Sequence, residues 1–168
     1  MQDAPIVFDA STLILLAKAD LLGHAVRSSR IVVTDSVGRE ATRRRELADA
    51  QWIAKAIAGG EITVRRVRTD REVRRLEDDF GIALGEASSL ALARRNRWLL
   101  ATDDGRTIKA CKVLRVPFAT AIHFLLEAYE DGQLSRSVAL AKLERLGRIG
   151  WYRAEIVGDA RRRLQGGE

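Results

Sequence analysis

Short apolar runs and longer amphipathic stretches alternate along this chain. Ile6–Ala10 is a short β-rich run after Pro5, the pattern of a buried strand, and Thr12–Lys18 then reads as a helix. Ile31–Thr34 predicts a second strand. Asp35 and Ser36 follow as cap candidates, leading a long helical pattern through Val37, Leu47, Trp52 and Ile57 that Gly59–Gly60 stops. Ile62–Val67 reads as a third strand, and Asp70–Phe80 as a charged helix ended by Gly81.

The second half repeats the alternation. Leu84, Ala87, Leu90, Ala91 and Ala93 recur at helical spacing over Leu84–Arg95, and Trp98–Thr102 is another buried β run. A helix over Asp104–Leu114 and a short strand near Val116–Ala119 follow. Strand and helix in turn argue an α/β domain with a mostly parallel sheet. Beyond Thr120 the pattern is helical throughout, over Ile122–Glu130, Ser135–Leu146 and Trp151–Leu164. The expected organisation is one domain over residues 1–168, with an α/β core at 1–120 and a helical extension at 121–168 packed on it.

Composition narrows the chemistry. A chain of 168 residues buries roughly 70% of its unfolded surface, enough for a core without covalent staples. Its single cysteine, Cys111, excludes an internal disulfide, and two histidines beside one thiol are too few for a Cys/His zinc cage. The expected compartment is reducing. The N-terminal run has no basic leader and is interrupted by Asp9 and Lys18, so neither a signal peptide nor a membrane span is expected, and the expected location is the cytoplasm. Net charge is +6, with 24 arginines among 29 basic residues. Arginine's planar fork suits phosphate oxygens, although codon bias also enriches arginine and 23 acids dilute the signal.

The carboxylates are the informative feature. In a parallel α/β sheet the C-termini of strands and the N-termini of the following helices share one edge. Asp9 ends the first strand, Glu40 follows the second, Glu86 opens the helix before the Trp98–Thr102 strand, and Asp103 and Asp104 close that strand. Each has an ordinary explanation. Asp103 or Asp104 could cap a helix, Glu86 could complement a helix dipole, and Glu40 could be a solvated helix residue. Asp9 is harder to dismiss, because an unpaired charge on an apolar strand costs several kcal/mol. Two carboxylates about 4 Å apart repel by roughly 4 kcal/mol at an effective dielectric of 20. A divalent cation is the simplest compensation, and an all-oxygen set suits Mg²⁺ or Mn²⁺. Such ions support phosphodiester hydrolysis. Ser11 and Thr102 are placed to orient the shell, and Arg106 to contact a phosphate or simply to lie on the surface.

The segments "VFDAST", "VVTDSVGREA", "LGEASSLALA", "LLATDDGRTIKACKVLRVP" and "LLEAYEDGQLSRSVALAKLERLGRIGW" resemble, in order, the PIN-domain nucleases, particularly the VapC-like group and a related prokaryotic subgroup. The resemblance covers nearly the whole chain. It implies a three-layer α/β/α sandwich with a central parallel sheet of about four or five strands. It also implies one or two Mg²⁺ or Mn²⁺ ions held by Asp9, Glu40, Glu86 and Asp103 or Asp104. The implied activity is RNA cleavage by metal-activated water, often as the toxin of a toxin–antitoxin pair, with a cognate antitoxin and a homodimer as partners. Single-stranded RNA is the expected substrate form.

One departure stands out: many relatives carry a further acid two residues after the Glu of "GE", and here that position is Ser88. A catalytically weak or inactive RNA-binding or adaptor module on the same fold is therefore the alternative. A dehalogenase-like phosphatase wants a second Asp where Ser11 stands, and a metal-free ribonuclease would rely on His24 and His123. Arg43–Arg45, Arg65, Arg66, Arg68 and the basic run at 94–97 are candidates for following an RNA backbone. Leu13–Leu16, Trp52, Trp151 and Tyr152 are candidates for core packing or for a partner surface.

Overall fold

The computed structural model describes residues 4–166. Five short strands form one all-parallel sheet in the order β3-β2-β1-β4-β5: β1 Ile6–Phe8, β2 Ile31–Thr34, β3 Ile62–Arg65, β4 Leu100–Ala101 and β5 Phe118–Ala119. Between them run α1 Ala10–Lys18, α2 Leu22–Ser28, α3 Asp35–Ala41, α4 Ala48–Ala58, α5 Arg71–Phe80, α6 Leu84–Asn96 and α7 Gly105–Leu114. Helices α8 Ala121–Glu130, α9 Arg136–Ile149 and α10 Ala154–Leu164 complete the chain.

Successive strand residues point to opposite faces of the sheet, and the two cores show it. Phe8, Ile31, Val33 and Ala101 pack with α1, α2, α4 and α8–α10 on one side. Val7, Val32 and Leu100 pack with α5, α6 and α7 on the other. The result is the expected α/β/α sandwich. α6 is buried almost all round, including Ser88 and Ser89, because it lies against the sheet with α5 and α7 outside it.

The chain steps outward from β1 to β2 and β3, then crosses back over the sheet to add β4 on the other side of β1 and β5 beyond it. The order therefore reverses between β1 and β4, and the crevice beyond their C-terminal ends is where open α/β sheets bind ligands. Asp9 and Asp103 stand at that reversal.

Several boundaries differ from the sequence pattern. β1 stops at Phe8, and Asp9 is the N-cap of α1, which opens at Ala10. The long helix through Val37–Ile57 is two helices, α3 and α4. Residues 42–46, Thr-Arg-Arg-Arg-Glu, carry no apolar side chain to bury, and Thr42 Oγ1 donates to the Gly38 carbonyl at 2.7 Å as α3 ends. The cap of α3 is Thr34 rather than Asp35 or Ser36, its Oγ1 accepting from Val37 N. α2 lay outside the expected elements, and α10 begins three residues after Trp151. Gly81 ends α5 as expected, in a left-handed conformation with φ 62°.

Candidate active site

Asp9 sits 1% exposed at the floor of the crevice. Its position follows from two local demands: its N–H completes the β1–β4 ladder by donating to the Ala101 carbonyl at 3.0 Å, and its side chain caps α1. Oδ1 accepts from Ser11 Oγ at 2.6 Å and from Thr12 N at 3.2 Å, while Oδ2 accepts from Thr102 Oγ1. Burial outweighs these donors and pushes the Asp9 carboxyl up to about 7.

Asp103 is held as firmly. Its Oδ2 accepts from Thr12 Oγ1 at 2.6 Å and Ala121 N at 3.0 Å, and its Oδ1 accepts from the Tyr152 hydroxyl. Desolvation raises its pKa. Ser11 Oγ also accepts from Asp103 N at 2.9 Å, so Ser11 and Thr12 each bridge the two acids. The local sequence Asp-Ala-Ser-Thr thus builds one hydroxyl lattice at the sheet edge.

Asp104 differs from its neighbour. It caps α7, Oδ2 accepting from both Thr107 N and Thr107 Oγ1 at 2.8 Å. Among the described residues no hydrogen bond falls on its Oδ1. The two acids that the sequence could not separate therefore have different tasks: Asp103 is fully engaged in the lattice, and Asp104 keeps an oxygen free.

Glu40 and Glu86 face one another across the junction of α3 and α6. Glu40 lies in the last turn of α3, where the helix dipole disfavours a carboxylate. Burial of its carboxylate, then the charge of Glu86, raises its pKa, with Arg43 opposing. A Cβ at Gly85 would lie 2.9 Å from Glu40 Oε2, so glycine at that position lets Glu40 lean onto α6. Glu86 Oε2 is buried with no hydrogen-bond partner.

A cleft of about 480 Å³ opens here. Glu40, Glu86, Asp103 and Asp104 all line it, with Ser11 and Lys18. Four of the five predicted acids share this one cavity, and Asp9 lies beneath it. The carboxylates are less crowded than the repulsion argument supposed: among the described residues no three form a ready-made metal cage. Ser11, Thr12, Thr102, Ala121 N and Tyr152 donate to Asp9 and Asp103, so these two acids are held by protein donors rather than gathered around a common centre.

Thr102 is buried and its hydroxyl donates to Asp9 Oδ2. Arg106 Nη1 donates to the Gly81 carbonyl at 2.8 Å, tying α7 to the turn after α5. Ser88 is buried, bonded to Thr34 Oγ1 and donating to the Gly85 carbonyl, both at 3.0 Å. Arg94 and Arg95 pair with Glu72, Arg95 also with Asp70, and Arg65 stacks over Trp98 at 5.4 Å. His24 bonds Gln133 and His123 packs edge-on against Phe124, and neither lines the cleft. Cys111 is buried and its thiol is pushed up to about 12 by burial and then by the charge of Asp9, which makes it inert. Sequence reasoning missed Thr12 and the Tyr152–Asp103 bond. Thr12 carried a signal, standing three residues after a capping Asp, whereas 49 residues of separation hid Tyr152.

An α/β/α sandwich with an acid-lined cleft at the reversal of its parallel sheet defines the class. The chain belongs to the PIN-domain family, whose model matches residues 5–165. Nuclease activity is the general property of PIN domains, typically with divalent metals. No curated protein matches the chain. No described helix is long and apolar enough to cross a membrane.

Proposed function

We propose that this chain is an Mg²⁺- or Mn²⁺-dependent endoribonuclease working in the cleft of Glu40, Glu86, Asp103 and Asp104. The observation that carries the proposal is Glu86 Oε2, an acceptor buried without a donor and set against a second carboxylate. Leaving such an atom unsatisfied costs about 1–3 kcal/mol or more when charged, and a hard cation with oxygen preference is the partner that suits it. Magnesium keeps several of its waters and takes only one or two carboxylates directly, so a loose acid-lined cleft fits it better than a closed cage would.

Glu40, Glu86 and the free oxygen of Asp104 are the open ligand positions, with Asp9 and Asp103 supplying charge from the floor. An ion held there would supply Lewis acidity toward a phosphoryl oxygen and would make a water nucleophile more acidic. The chain's own part is orientation. Ser11, Thr12 and Thr102 fix Asp9, and Tyr152 fixes Asp103, so the acids need not reorganise as charge develops. Lys18, on the cleft wall, is placed to pair with a phosphate.

Purified protein incubated with a mixed RNA pool tests this. Mn²⁺ should bring cleavage, EDTA should abolish it, and Asp9→Asn should lose it by about 100-fold or more while remaining folded. Binding of RNA without metal-stimulated cleavage would favour the adaptor reading instead. The role of toxin, with a cognate antitoxin, homodimeric assembly and a cytoplasmic site of action, belongs to the same proposal and rests on the VapC-like resemblance. Induced expression should arrest growth, and the Asp9→Asn chain should not.

A further inference from the structure

Trp151 stands between two cavities. It lines the acid cleft beside Ile149 and Gly150, and it also lines a neighbouring groove of about 540 Å³ whose walls include Lys109, Lys112 and Arg153. Asp103 and Gly105 border both, so the two spaces are continuous around the indole. Trp151 is fully exposed, the most exposed large apolar side chain described. It is nonetheless held in place. On one side Gly150 N donates to the Leu146 carbonyl at 2.8 Å at the end of α9, and on the other the Tyr152 hydroxyl is anchored on Asp103. Tyr152 folds back so closely that a Cβ at Gly150 would lie 2.8 Å from Tyr152 Cδ2, and this fold-back turns Trp151 outward.

The groove beyond the indole is cationic. Lys109 and Lys112 lie three residues apart on α7, Arg153 immediately precedes α10, and all three are exposed. None of them forms an ion pair among the described residues, and Glu155 is the acid that shares the groove with Asp103. The arginines at 94 and 95, by contrast, are neutralised by Glu72 and Asp70. An accessible aromatic face followed by unpaired cations matches a polyanion with unpaired planar rings, that is, a single-stranded nucleic acid. A duplex keeps its bases stacked on one another and offers the indole nothing.

We propose that Trp151 is the platform on which a base adjoining the scissile phosphate stacks, and that Lys109, Lys112 and Arg153 take the phosphates of the nucleotides beyond it. The proposal rests on the nuclease reading for its direction, since the acid cleft marks where the strand is cut. Its test does not depend on cleavage.

The full chain is titrated in EDTA with a labelled single-stranded oligoribonucleotide and with the same sequence as a duplex. Trp151→Ala should weaken single-strand binding about tenfold, Trp151→Phe should stay within about threefold, and neither should shift the melting temperature. Replacing Lys109, Lys112 and Arg153 by Gln should reduce the slope of log K against log salt by about 2. No binding by the wild-type chain, equal binding by Trp151→Ala, equal affinity for duplex, or an unchanged salt slope would each overturn the proposal. Mn²⁺-dependent cleavage by the wild-type chain is scored separately, so loss of the nuclease reading and loss of the stacking platform are told apart.

Discussion

At the scale of single residues, Asp9 shows how this fold tolerates a charge where a strand ends. Its carboxylate keeps three donors, yet burial leaves its pKa near 7, well above the ordinary carboxylate range. A group raised on folding favours the folded state when protonated. Its stabilising contribution is therefore full below the unfolded pKa and is lost as pH climbs through the folded value. Glu40 and Asp103 are raised too and act in the same direction. Metal-free protein should lose stability progressively between the ordinary carboxylate range and about pH 7, and Asp9→Asn should flatten much of that decline in a series of thermal melts. A wild-type profile identical to that of the variant would show that Asp9 is solvated rather than buried. Tyr152→Phe should cost about 1 kcal/mol of stability, because it removes one donor from a buried acid. It should also lower cleavage, which a mere packing role would not require.

At the scale of elements, the connector between α9 and α10 sets the geometry of the far wall of the cleft. Gly147→Ala, inside α9 with its nearest neighbours at ordinary contact distance, should stabilise by about 0.5–1 kcal/mol through helix propensity. Gly150→Ala should instead destabilise by about 1–3 kcal/mol, because the added methyl meets the Tyr152 ring and the Leu146 carbonyl. Urea denaturation of the two variants separates them by sign. Such a contact is invisible in the sequence, where both glycines fall in the connector between the helices expected over Ser135–Leu146 and Trp151–Leu164, while α9 in fact runs on to Ile149. β1 and β2 were legible because β-branched runs buried on both faces have no other stable place. The break between α3 and α4 was legible only in hindsight, since Trp52 and Ile57 continue a helical spacing that five polar residues interrupt. The acids at the sheet edge followed from topology. Of their hydroxyl donors, Ser11 and Thr102 stand beside the acids in the sequence, whereas Thr12 and Tyr152 were not legible as partners of Asp103, because short polar side chains give no periodic signal and Tyr152 reaches Asp103 from 49 residues away. Ser88 illustrates the same limit: the sequence marks it as a missing acid, while the structure occupies it in a buried bond between β2 and α6.

At the scale of the molecule, the sheet reversal places two helix-capping aspartates, Asp9 and Asp104, beside two glutamates brought from α3 and α6. Any divalent ion that these residues hold binds the folded chain and not the unfolded one, so stability should rise with its concentration by about 2.7 kcal/mol at 100 times the dissociation constant. The rise should be larger at pH 8 than at pH 5, where protons compete for Asp9, Glu40 and Asp103. The most direct measurement is Mn²⁺ binding followed by electron paramagnetic resonance, comparing the wild-type chain with Glu40→Gln/Glu86→Gln. The account predicts saturable binding by the wild type and its loss in a double variant that still folds. Equal Mn²⁺ binding by both, or none by the wild type, would contradict it.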